Sequence, residues 1–410
     1  MTSRDACAEQ DRRDPLAGRR ALFDLPDGVI YLDGNSLGAL PRAAKARLAE
    51  AVEAEWGRDL IRSWNEADWI NLPARVGARI APLIGAEPDE VIAGDSTSIN
   101  VFKAVCGALA MRPERKAIVT EPGNFPTDLY MLQGLQTFLP GVELRVVPPD
   151  QIPAALDTGV AALLLTQVHY RSGRIHDMAG LTARAQASGA LAIWDLSHSA
   201  GALPVALNAA HADLAVGCGY KYLNGGPGAP AFSFVARRHQ AAFRQPLTGW
   251  MGHAQPFTFL DEFSPADGIK RALCGTPPVL GLSALEGALT AFEGVDMTEL
   301  RAKSVALGEL FVALVEHRCA GMGFTLLSPR AAAERGSQVS FTHPAGYAIV
   351  QALIARGVIP DYRAPEVLRF GFAPLYLRFV DIWDAVEQLV QVMAGEEWRE
   401  PRFNQVSAVT

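Results

Sequence analysis

The sequence predicts an α/β fold in which a large domain, built on a mostly parallel sheet, is followed by a smaller α+β domain. From about residue 117 to residue 235, short apolar runs alternate with helix-like stretches, which is the rhythm of repeated βαβ units. Several of these runs are apolar throughout, as expected of strands that crossover helices cover on both faces. After about residue 285, long helical stretches alternate with single strands, which favours a smaller unit with an antiparallel sheet.

The individual elements are predicted in order along the chain. A loop at residues 31–38 precedes a helix at 41–56, which Pro41 opens at its first turn. A later helix at 177–187 is ended by Gly189. The strands of the large sheet are predicted at 117–120, 144–147, 161–166, 191–195, 214–216 and 231–235. The C-terminal unit has predicted helices at 297–318, 346–356 and 380–393, and predicted strands at 324–327, 339–342 and 367–372.

The length supports more than one domain, because 410 residues at roughly 150 per domain correspond to two or three units. With 49% hydrophobic and 20% charged residues, the chain is typical of a folded protein with a large core. We expect an N-terminal segment at 1–55 whose helix packs on the small domain, a large α/β domain at 56–285 and a small α+β domain at 286–410.

Charge and cysteine content argue against several classes of protein. The 37 Lys and Arg against 44 Asp and Glu give a net charge of -7 without any basic block, so nucleic-acid binding is not expected. The five cysteines form no Cys-x-x-Cys pair and the eight histidines lack ligand spacing, so neither a disulfide framework nor a metal site is predicted. Because no signal peptide and no apolar run of about 18 residues is found, we expect a cytoplasmic protein without membrane contact.

A carboxylate and a lysine mark the candidate active site. The predicted strand 191–195 ends in Asp195, followed by His198, at the carboxyl edge where α/β sheets bind ligands. Lys221 comes 26 positions later (221 − 195 = 26), just before a glycine-rich turn. A lysine amine condenses with an aldehyde, and a carboxylate facing a pyridinium nitrogen keeps that ring protonated, which is the chemistry of pyridoxal phosphate (PLP). Either residue alone is equally well explained as a turn cap or a solvated side chain.

Three further features have both a functional and a purely structural interpretation. The string at 95–98 opens a helix whose N-terminal N–H groups suit a phosphate, although ordinary N-capping explains it as well. Phe125 follows another strand and is placed to cover a cofactor ring, with Asp128 as a polar contact, or else it packs in the core. Arg369 lies in an apolar strand and needs an anionic partner, either a substrate α-carboxylate or an internal salt bridge.

Taken together, these strings resemble the kynureninase family of fold-type-I PLP enzymes. The strings are GNSLG at 34–38, GDSTS at 94–98, FPTD at 125–128, DLSH at 195–198, GYKYLNGGPG at 219–228 and LRFGFAPLY at 368–376. The Asp-to-Lys arrangement alone also occurs in aminotransferases and cysteine desulfurases, whereas the ordered set that includes LRFGFAPLY is specific. The resemblance covers about residues 31–393 and implies the fold-type-I PLP-dependent transferase fold, with a seven-stranded sheet in the large domain.

The resemblance implies a role for each matching residue. PLP would be the cofactor, held by Lys221 as a Schiff base, with Asp195 on its pyridine nitrogen, Phe125 stacked on its ring and His198 beside it. Arg369 would bind the substrate carboxylate. The rest of the cofactor pocket would come from Thr97, Ser98, Asp128, Thr166 and Tyr220, with Trp250 and Thr276 supplied by the partner subunit of a homodimer. The aryl group of the substrate would be flanked by Ser36, Trp64 and Thr276.

The implied reaction is hydrolysis of the Cβ–Cγ bond of L-kynurenine to anthranilate and L-alanine, in tryptophan catabolism. Lys221 is the expected α-proton base and Tyr220 the expected proton relay. Two alternatives stay open: another PLP reaction, such as transamination or cysteine desulfuration with Cys274 as the loop thiol, and cofactor binding without turnover. 3-Hydroxykynurenine is a second possible substrate, although Trp64 and Thr276 favour kynurenine itself. His253 fits the pocket entrance and a surface loop equally well.

Overall fold

The structure is a computed structural model that describes residues 3–405. Its α-helices are α1 (Arg4–Arg13), α2 (Arg42–Glu50), α3 (Ser63–Glu66), α4 (Leu72–Ile80), α5 (Thr97–Met111), α6 (Pro126–Phe138), α7 (Ile152–Ala155), α8 (Met178–Ala187), α9 (Arg237–Gln240), α10 (Val279–Ala288), α11 (Met297–Arg318), α12 (Gly346–Ala355) and α13 (Phe379–Ala394). A π-helical turn, Ala51–Trp56, extends α2, so the helix predicted at 41–56 is present. Within residues 3–405, no helix is both long enough and apolar enough to cross a membrane.

The strands of the same part of the chain form three sheets. They are β1 (Ile30–Tyr31), β2 (Val91–Ala93), β3 (Ala117–Thr120), β4 (Glu143–Val146), β5 (Val160–Thr166), β6 (Leu191–Asp195), β7 (Leu214–Gly217), β8 (Phe232–Val235), β9 (Thr325–Leu326), β10 (Gln338–Thr342), β11 (Val358–Ile359), β12 (Asp361–Arg363) and β13 (Val367–Gly371).

Seven strands form the central sheet in the order β2-β8-β7-β6-β5-β3-β4. The pairs among β3 to β7 are parallel, whereas β8 is antiparallel to both of its neighbours. The predicted mostly parallel, seven-stranded sheet is therefore confirmed. Two details of this sheet were not predicted from the sequence. The strand predicted at 231–235, β8, runs antiparallel to its neighbours, and β2 was missed because its three residues are too few to show a pattern.

Helices cover both faces of the central sheet. Neighbouring residues of a strand point to opposite faces, so Leu163 and Leu165 of β5 belong to one apolar core and Leu164 to the other. The first core also takes in buried side chains of α4, α8 and α10, and the second takes in those of α5 and α6. This two-sided burial explains why the strand sequences are apolar throughout rather than alternating.

The C-terminal unit is built on a four-stranded antiparallel sheet in the order β12-β13-β10-β9. Helix α11 packs on it through Phe311, whose ring centroid lies 6.2, 4.5 and 5.5 Å from those of Phe341, Phe370 and Phe372. The bounds of α11 coincide with the predicted helix at 297–318. The predicted α+β unit with an antiparallel sheet is confirmed.

The N-terminal segment contacts both units. The carboxylate of Asp11 in α1 accepts hydrogen bonds from the backbone N–H groups of Phe379 and Val380, at 2.7 and 3.1 Å. These two N–H groups stand at the start of α13, where they have no partner within the helix. Strand β1 pairs in parallel with β11. Helix α2 instead lies against α10, where Arg47 donates to Glu286 at 3.0 Å. The domain limits at 55/56 and 285/286 stay a prediction.

The loop at residues 33–38 leads from β1 to the edge of the central sheet. Asp33 forms a parallel bridge with Gly371 at the end of β13. The Gly38 N–H donates to the carbonyl oxygen of Tyr220 at 2.8 Å. A Cβ atom on Gly38 would lie 2.3 Å from the carbonyl oxygen of Lys221, so glycine is required for this approach. The loop therefore lies between the small unit and the segment that carries Lys221.

The contact between α4 and β2 depends on Gly77. A Cβ atom there would lie 2.2 Å from the carbonyl oxygen of Val91, which belongs to a buried strand and has little freedom to move. We expect Gly77→Ala to lower the free energy of unfolding by about 1–3 kcal/mol through overpacking.

Gly134→Ala is the matched control for this prediction. Gly134 also lies within a helix, α6, but a Cβ atom added there would have no neighbouring atom within 4 Å. The substitution is expected to raise stability by roughly 0.5–1 kcal/mol, because alanine favours the helix. Urea unfolding of both variants checks this, and equal effects of the two substitutions would contradict the proposed close approach.

Candidate active site

A cleft of about 690 Å³ lies at the carboxyl ends of the parallel strands. Thr166 is the last residue of β5, Asp195 is the last of β6, and Lys221 follows β7, so the parallel order of these strands places all three at one edge. Eight residues singled out from the sequence line this cleft: Thr97, Ser98, Phe125, Asp128, Asp195, His198, Tyr220 and Lys221.

Lys221 is buried in this cleft beside His198. The lysine Nζ lies 2.9 Å from the imidazole Nε2 and 5.5 Å from the ring centroid of Phe125. Burial lowers the pKa of Lys221, because the charged amine loses its hydration. Burial, and secondly the charge of Lys221, hold the pKa of His198 well below its usual range, so the imidazole is neutral at physiological pH. This arrangement gives a lysine that releases its proton more easily than an exposed one.

The carboxylate of Asp195, at the end of β6, is oriented by hydrogen bonds from Ser197 in the turn that follows. Its Oδ1 accepts hydrogen bonds from the backbone N–H and the hydroxyl of Ser197, at 2.8 and 2.6 Å, whereas among residues 3–405 the partner of Oδ2 is Thr166 Oγ1 at 3.5 Å. Burial raises the pKa of Asp195, and these hydrogen bonds oppose that rise. One carboxylate oxygen is thus fixed by Ser197 while the other is available to a cationic N–H.

Asp128 lies close to this carboxylate and takes up a proton more readily than an exposed aspartate. Its Oδ2 is 3.4 Å from the Thr166 hydroxyl, which also faces Asp195. Burial, together with the charge of Asp195, raises the pKa of Asp128 well above its usual range. Two buried carboxylates this close do not both ionise readily, so Asp128, without the hydrogen bonds that Ser197 gives Asp195, is the member of the pair that more readily takes a proton.

The N-terminus of α5 bears on the two interpretations of the 95–98 string, phosphate binding and ordinary N-capping. Ser96 is the N-cap, since its hydroxyl accepts from the Ile99 N–H at 3.4 Å. Thr97 and Ser98 occupy the first turn and line the cleft. Capping therefore accounts for Ser96 and leaves the next two residues facing the cleft, where phosphate binding stays a prediction.

Tyr220 also lies near the lysine amine. Its ring centroid is 5.9 Å from Lys221 Nζ. Burial raises the pKa of the Tyr220 phenol, so the hydroxyl keeps its proton and is available as a donor. Its role as a proton relay stays a prediction.

Arg369 forms the internal salt bridge that the sequence left as an alternative. The register of β12 and β13 sets Asp361 directly opposite Arg369. The guanidinium donates to Asp361 Oδ1 from Nε at 2.7 Å, to Asp361 Oδ2 and Ser36 Oγ from Nη2, and to the Tyr170 carbonyl from Nη1 at 2.6 Å. The Tyr170 ring in turn meets Phe125 edge-on at 5.3 Å. Arg369 is thereby linked to the cleft, and its substrate role stays a prediction.

Asn124 and Lys103 contribute to the site but were not identified from the sequence, and Asp95 was identified only as part of the 95–98 string. Asn124 accepts a hydrogen bond from Thr166 and orients that hydroxyl. Asp95 lines the cleft in a left-handed backbone conformation and is paired with the buried Lys103, which also donates to the Ala272 carbonyl at 2.8 Å. Asn124 directly precedes the string at 125–128, but only the fold shows that its side chain reaches Thr166 on the next strand.

Trp250, Thr276 and Trp64 do not line the Lys221 cleft of their own chain. Trp64 and Trp250 meet edge-on at 5.9 Å, and both contact Phe257. Thr276 is exposed on the loop before α10. This placement agrees with the expectation that Trp250 and Thr276 serve another subunit, which stays a prediction.

His253 closes a loop rather than facing the cleft. Its Nδ1 accepts from the Gln255 N–H at 2.9 Å and its Nε2 lies 3.2 Å from the Glu262 carbonyl. Over residues 3–405, no group of three or more His, Cys, Asp or Glu side chains is placed to hold a metal ion.

Comparison with known proteins identifies relatives along the whole chain. A family model described as the kynureninase C-terminal domain matches residues 300–389. Proteins named kynureninase from Burkholderia mallei strain SAVP1 and Pseudomonas fluorescens are 55% and 51% identical, each over 100% of both chains. Among solved structures, an apo cysteine desulfurase from Thermococcus onnurineus NA1 has a TM-score of 0.77 at 20% identity, covering 94% of this chain and 98% of its own.

A second structural neighbour is a C-DES variant with glycine covalently linked to the PLP cofactor. It has a TM-score of 0.76 at 17% identity and covers 90% of this chain and 98% of its own. The fold and the lysine-centred cleft define a fold-type-I PLP-dependent enzyme. At 51–55% identity over the full length, the chain belongs to the kynureninase family, whose members hydrolyse a carbon–carbon bond with PLP as cofactor.

The polar atoms of the cleft fit this cofactor. Thr97 Oγ1 and His198 Nδ1 are buried in the cleft lining and have no hydrogen-bond partner among the described residues. Buried polar atoms are normally paired, so these two are suited to a ligand with polar groups. Asp195 Oδ2 offers an anion for a protonated ring nitrogen, and Lys221 offers the amine.

The two carboxylates of the site are expected to differ in importance for cofactor binding. Asp195→Ala removes the proposed partner of the ring nitrogen, a charge-assisted hydrogen bond worth roughly 1.5–3 kcal/mol, so PLP affinity is expected to fall at least about tenfold. Asp128→Asn keeps a neutral polar group and is expected to retain PLP. Absorbance of PLP remaining after gel filtration measures both variants, and equal retention would contradict the assignment of Asp195.

Proposed function

We propose that the protein hydrolyses the Cβ–Cγ bond of L-kynurenine to anthranilate and L-alanine. One observation supports this above all: a buried Lys221, beside a neutral His198 and a buried Asp195, in a chain at least 51% identical over its full length to proteins named kynureninase. The proposed setting of this reaction is tryptophan breakdown in the cytoplasm, where it also supplies precursors for NAD biosynthesis.

Lys221 is proposed to take the α-proton of the substrate. When bound, PLP supplies a carbonyl carbon that takes the substrate amine and a ring that accepts electrons from the α-carbon. Because burial lowers the pKa of Lys221, its amine spends more time unprotonated than an exposed lysine does. A base at this position contributes typically ~10² to 10⁴-fold to the rate.

Asp195 and Phe125 are proposed to hold the cofactor ring. The Oδ2 of Asp195, which has only a weak contact with Thr166, keeps a proton on the ring nitrogen by favouring the charged form. The ring centroid of Phe125 lies 5.5 Å from the lysine amine, and this side chain is proposed to stack on the cofactor ring. Thr97 and Ser98, at the start of α5, are proposed to bind the phosphate.

Arg369, Tyr220 and the aromatic residues are proposed to act on the substrate. Arg369 binds the α-carboxylate, and Ser36, Trp64 and Thr276 flank the aryl ring, with Trp64 and Thr276 reaching it from the partner subunit. Tyr220, whose phenol stays protonated because burial raises its pKa, donates a proton as water adds to the γ-carbonyl. Water supplies one oxygen of the anthranilate carboxylate, and the β-carbon takes a proton to give alanine.

A homodimer with shared active sites is proposed as the working form. Trp250 and Thr276 lie outside the Lys221 cleft of their own chain, which supports their use by a partner subunit. Apolar side chains are exposed nearby, among them Phe257 and Phe259, at 52% and 74%. Exposed aromatic groups of this size favour a protein interface.

The function is tested by anthranilate fluorescence after the PLP-loaded protein is mixed with L-kynurenine. Lys221→Ala is expected to lose turnover by at least about 10²-fold, because it removes the proposed base. Lys116→Ala, which changes an exposed lysine remote from the cleft, serves as the control and is expected to keep full activity. Full activity of Lys221→Ala, or no anthranilate from the wild-type protein, would contradict the proposal. 3-Hydroxykynurenine is compared in parallel.

The shared site is tested by mixing inactive variants. Lys221→Ala and Trp250→Ala are expected to lose activity separately. Random mixed dimers then contain one intact site, so about a quarter of wild-type activity is expected to return. A mixture of Lys221→Ala with Asp195→Ala serves as the control, because both changes lie in the same chain's cleft and no intact site forms. Equal activity of the two mixtures would contradict shared sites.

A further inference from the structure

A cluster of four charged side chains lies where the loop at 33–38 meets β12 and β13. It contains two carboxylates, Asp33 and Asp361, and two guanidiniums, Arg363 and Arg369. Asp361 is 1% exposed and receives hydrogen bonds from Arg369, a bond of 2.6 Å from the Ser36 hydroxyl, and an ion pair of 2.9 Å from Arg363. With both carboxylates ionised, the charges of the cluster cancel.

The proposed substrate carboxylate would disturb this balance. Arg369 already donates hydrogen bonds to Asp361 from its Nε and one Nη. Its other Nη donates to the Tyr170 carbonyl at 2.6 Å. A third carboxylate would leave one uncompensated negative charge beside residues that are 1% exposed, Arg369 and Asp361. Burying an unpaired charge is costly, so binding favours protonation of one carboxylate in the cluster.

Asp33 is the carboxylate that is suited to take this proton. Although burial works against ionisation of Asp361, hydrogen bonds from Arg369 and the charges of both arginines hold the pKa of Asp361 below its usual range. Asp33 has a buried Oδ1 without any hydrogen-bond partner among residues 3–405. Burial, and then the charge of Asp361, raise the pKa of Asp33 to about 7. Asp33 therefore binds a proton more readily than Asp361 does.

The other groups that face Asp33 do not change charge near neutrality. Asp361, Arg363 and Arg369 keep theirs, because the two guanidiniums stay protonated and the carboxylate is stabilised by them. The three facing phenols are neutral, since burial raises the pKa of each: Tyr31, Tyr222 and Tyr376.

We propose that Asp33 is a positioning residue that couples binding of the substrate α-carboxylate at Arg369 to protonation of the Asp33–Asp361 pair. The proposal rests on the proposed function, which assigns that carboxylate to Arg369. Binding is strongest when Asp33 is protonated and weakens as pH rises, by up to about tenfold per pH unit once Asp33 is ionised. The effect falls on KM rather than on kcat, because Asp33 acts on the bound carboxylate and not on the reacting bond.

The test measures L-alanine binding to the PLP-loaded protein by calorimetry between pH 6 and pH 9, in buffers of different ionisation enthalpy. Alanine is the probe because it carries the carboxylate and the amine without the aryl group. The wild-type protein is expected to take up more protons on binding than Asp33→Asn does, by as much as one per site near pH 8, and to show the steeper loss of affinity with pH. Asp27→Asn, an exposed aspartate of the same segment, is the matched control and should behave as the wild type.

Equal proton uptake by Asp33→Asn and the wild type, or no alanine binding by the wild type, would overturn the proposal. A second measurement needs no variant: ethylamine lacks the carboxylate, so the additional proton uptake is expected with alanine only, and equal uptake with both ligands would overturn the coupling.

The outcome is distinguishable from failure of the proposed function. Absence of anthranilate from kynurenine, with proton uptake on alanine binding still dependent on Asp33, would overturn the reaction and support the coupling. Anthranilate formation with the same pH dependence of KM in Asp33→Asn and wild type would support the reaction and overturn the coupling.

Discussion

The burial of the Lys221 amine is the constraint on which the rest of the site depends. A lysine taken out of water favours its neutral form, and the cleft supports this with a neutral imidazole 2.9 Å away rather than with a carboxylate in direct contact. The nearby carboxyl groups of Asp195 and Asp128 are instead hydrogen-bonded by Ser197 and Thr166. The parallel strands make this possible, because they end at one edge and bring residues distant in sequence together.

The small unit is joined to this cleft by two connections. The loop at 33–38 passes from β1 to the Tyr220 carbonyl, and its close approach requires Gly38. Tyr170 forms the second connection, with its carbonyl on Arg369 and its ring against Phe125. A change in the charge of the cluster of Asp33, Asp361, Arg363 and Arg369 therefore acts on groups that contact the cleft. Carboxylate binding is connected to the cofactor site through these contacts.

Much of the fold and of the site was predictable because the signals are local. Buried parallel strands read as apolar runs, and α11 has a pattern long enough to give both of its ends. Asp195, His198 and Lys221 follow strands directly, so their meeting at one edge follows from the predicted topology. The direction of β8, the short β2 and the pairing of Asp361 with Arg369 depend on strand register, which is set by contacts between distant segments. The same is true of Asn124, which contacts Thr166 across neighbouring strands.

Water labelled with oxygen-18 tests the central claim most directly, since hydrolysis leaves a solvent oxygen in the product. The PLP-loaded protein is given L-kynurenine in labelled water, and the products are analysed by mass spectrometry. The account predicts equal amounts of anthranilate and L-alanine, with at least one labelled oxygen in each anthranilate carboxylate. Conversion of the amino group to a keto acid without anthranilate, or release of sulfide from cysteine by a protein inert towards kynurenine, would contradict it.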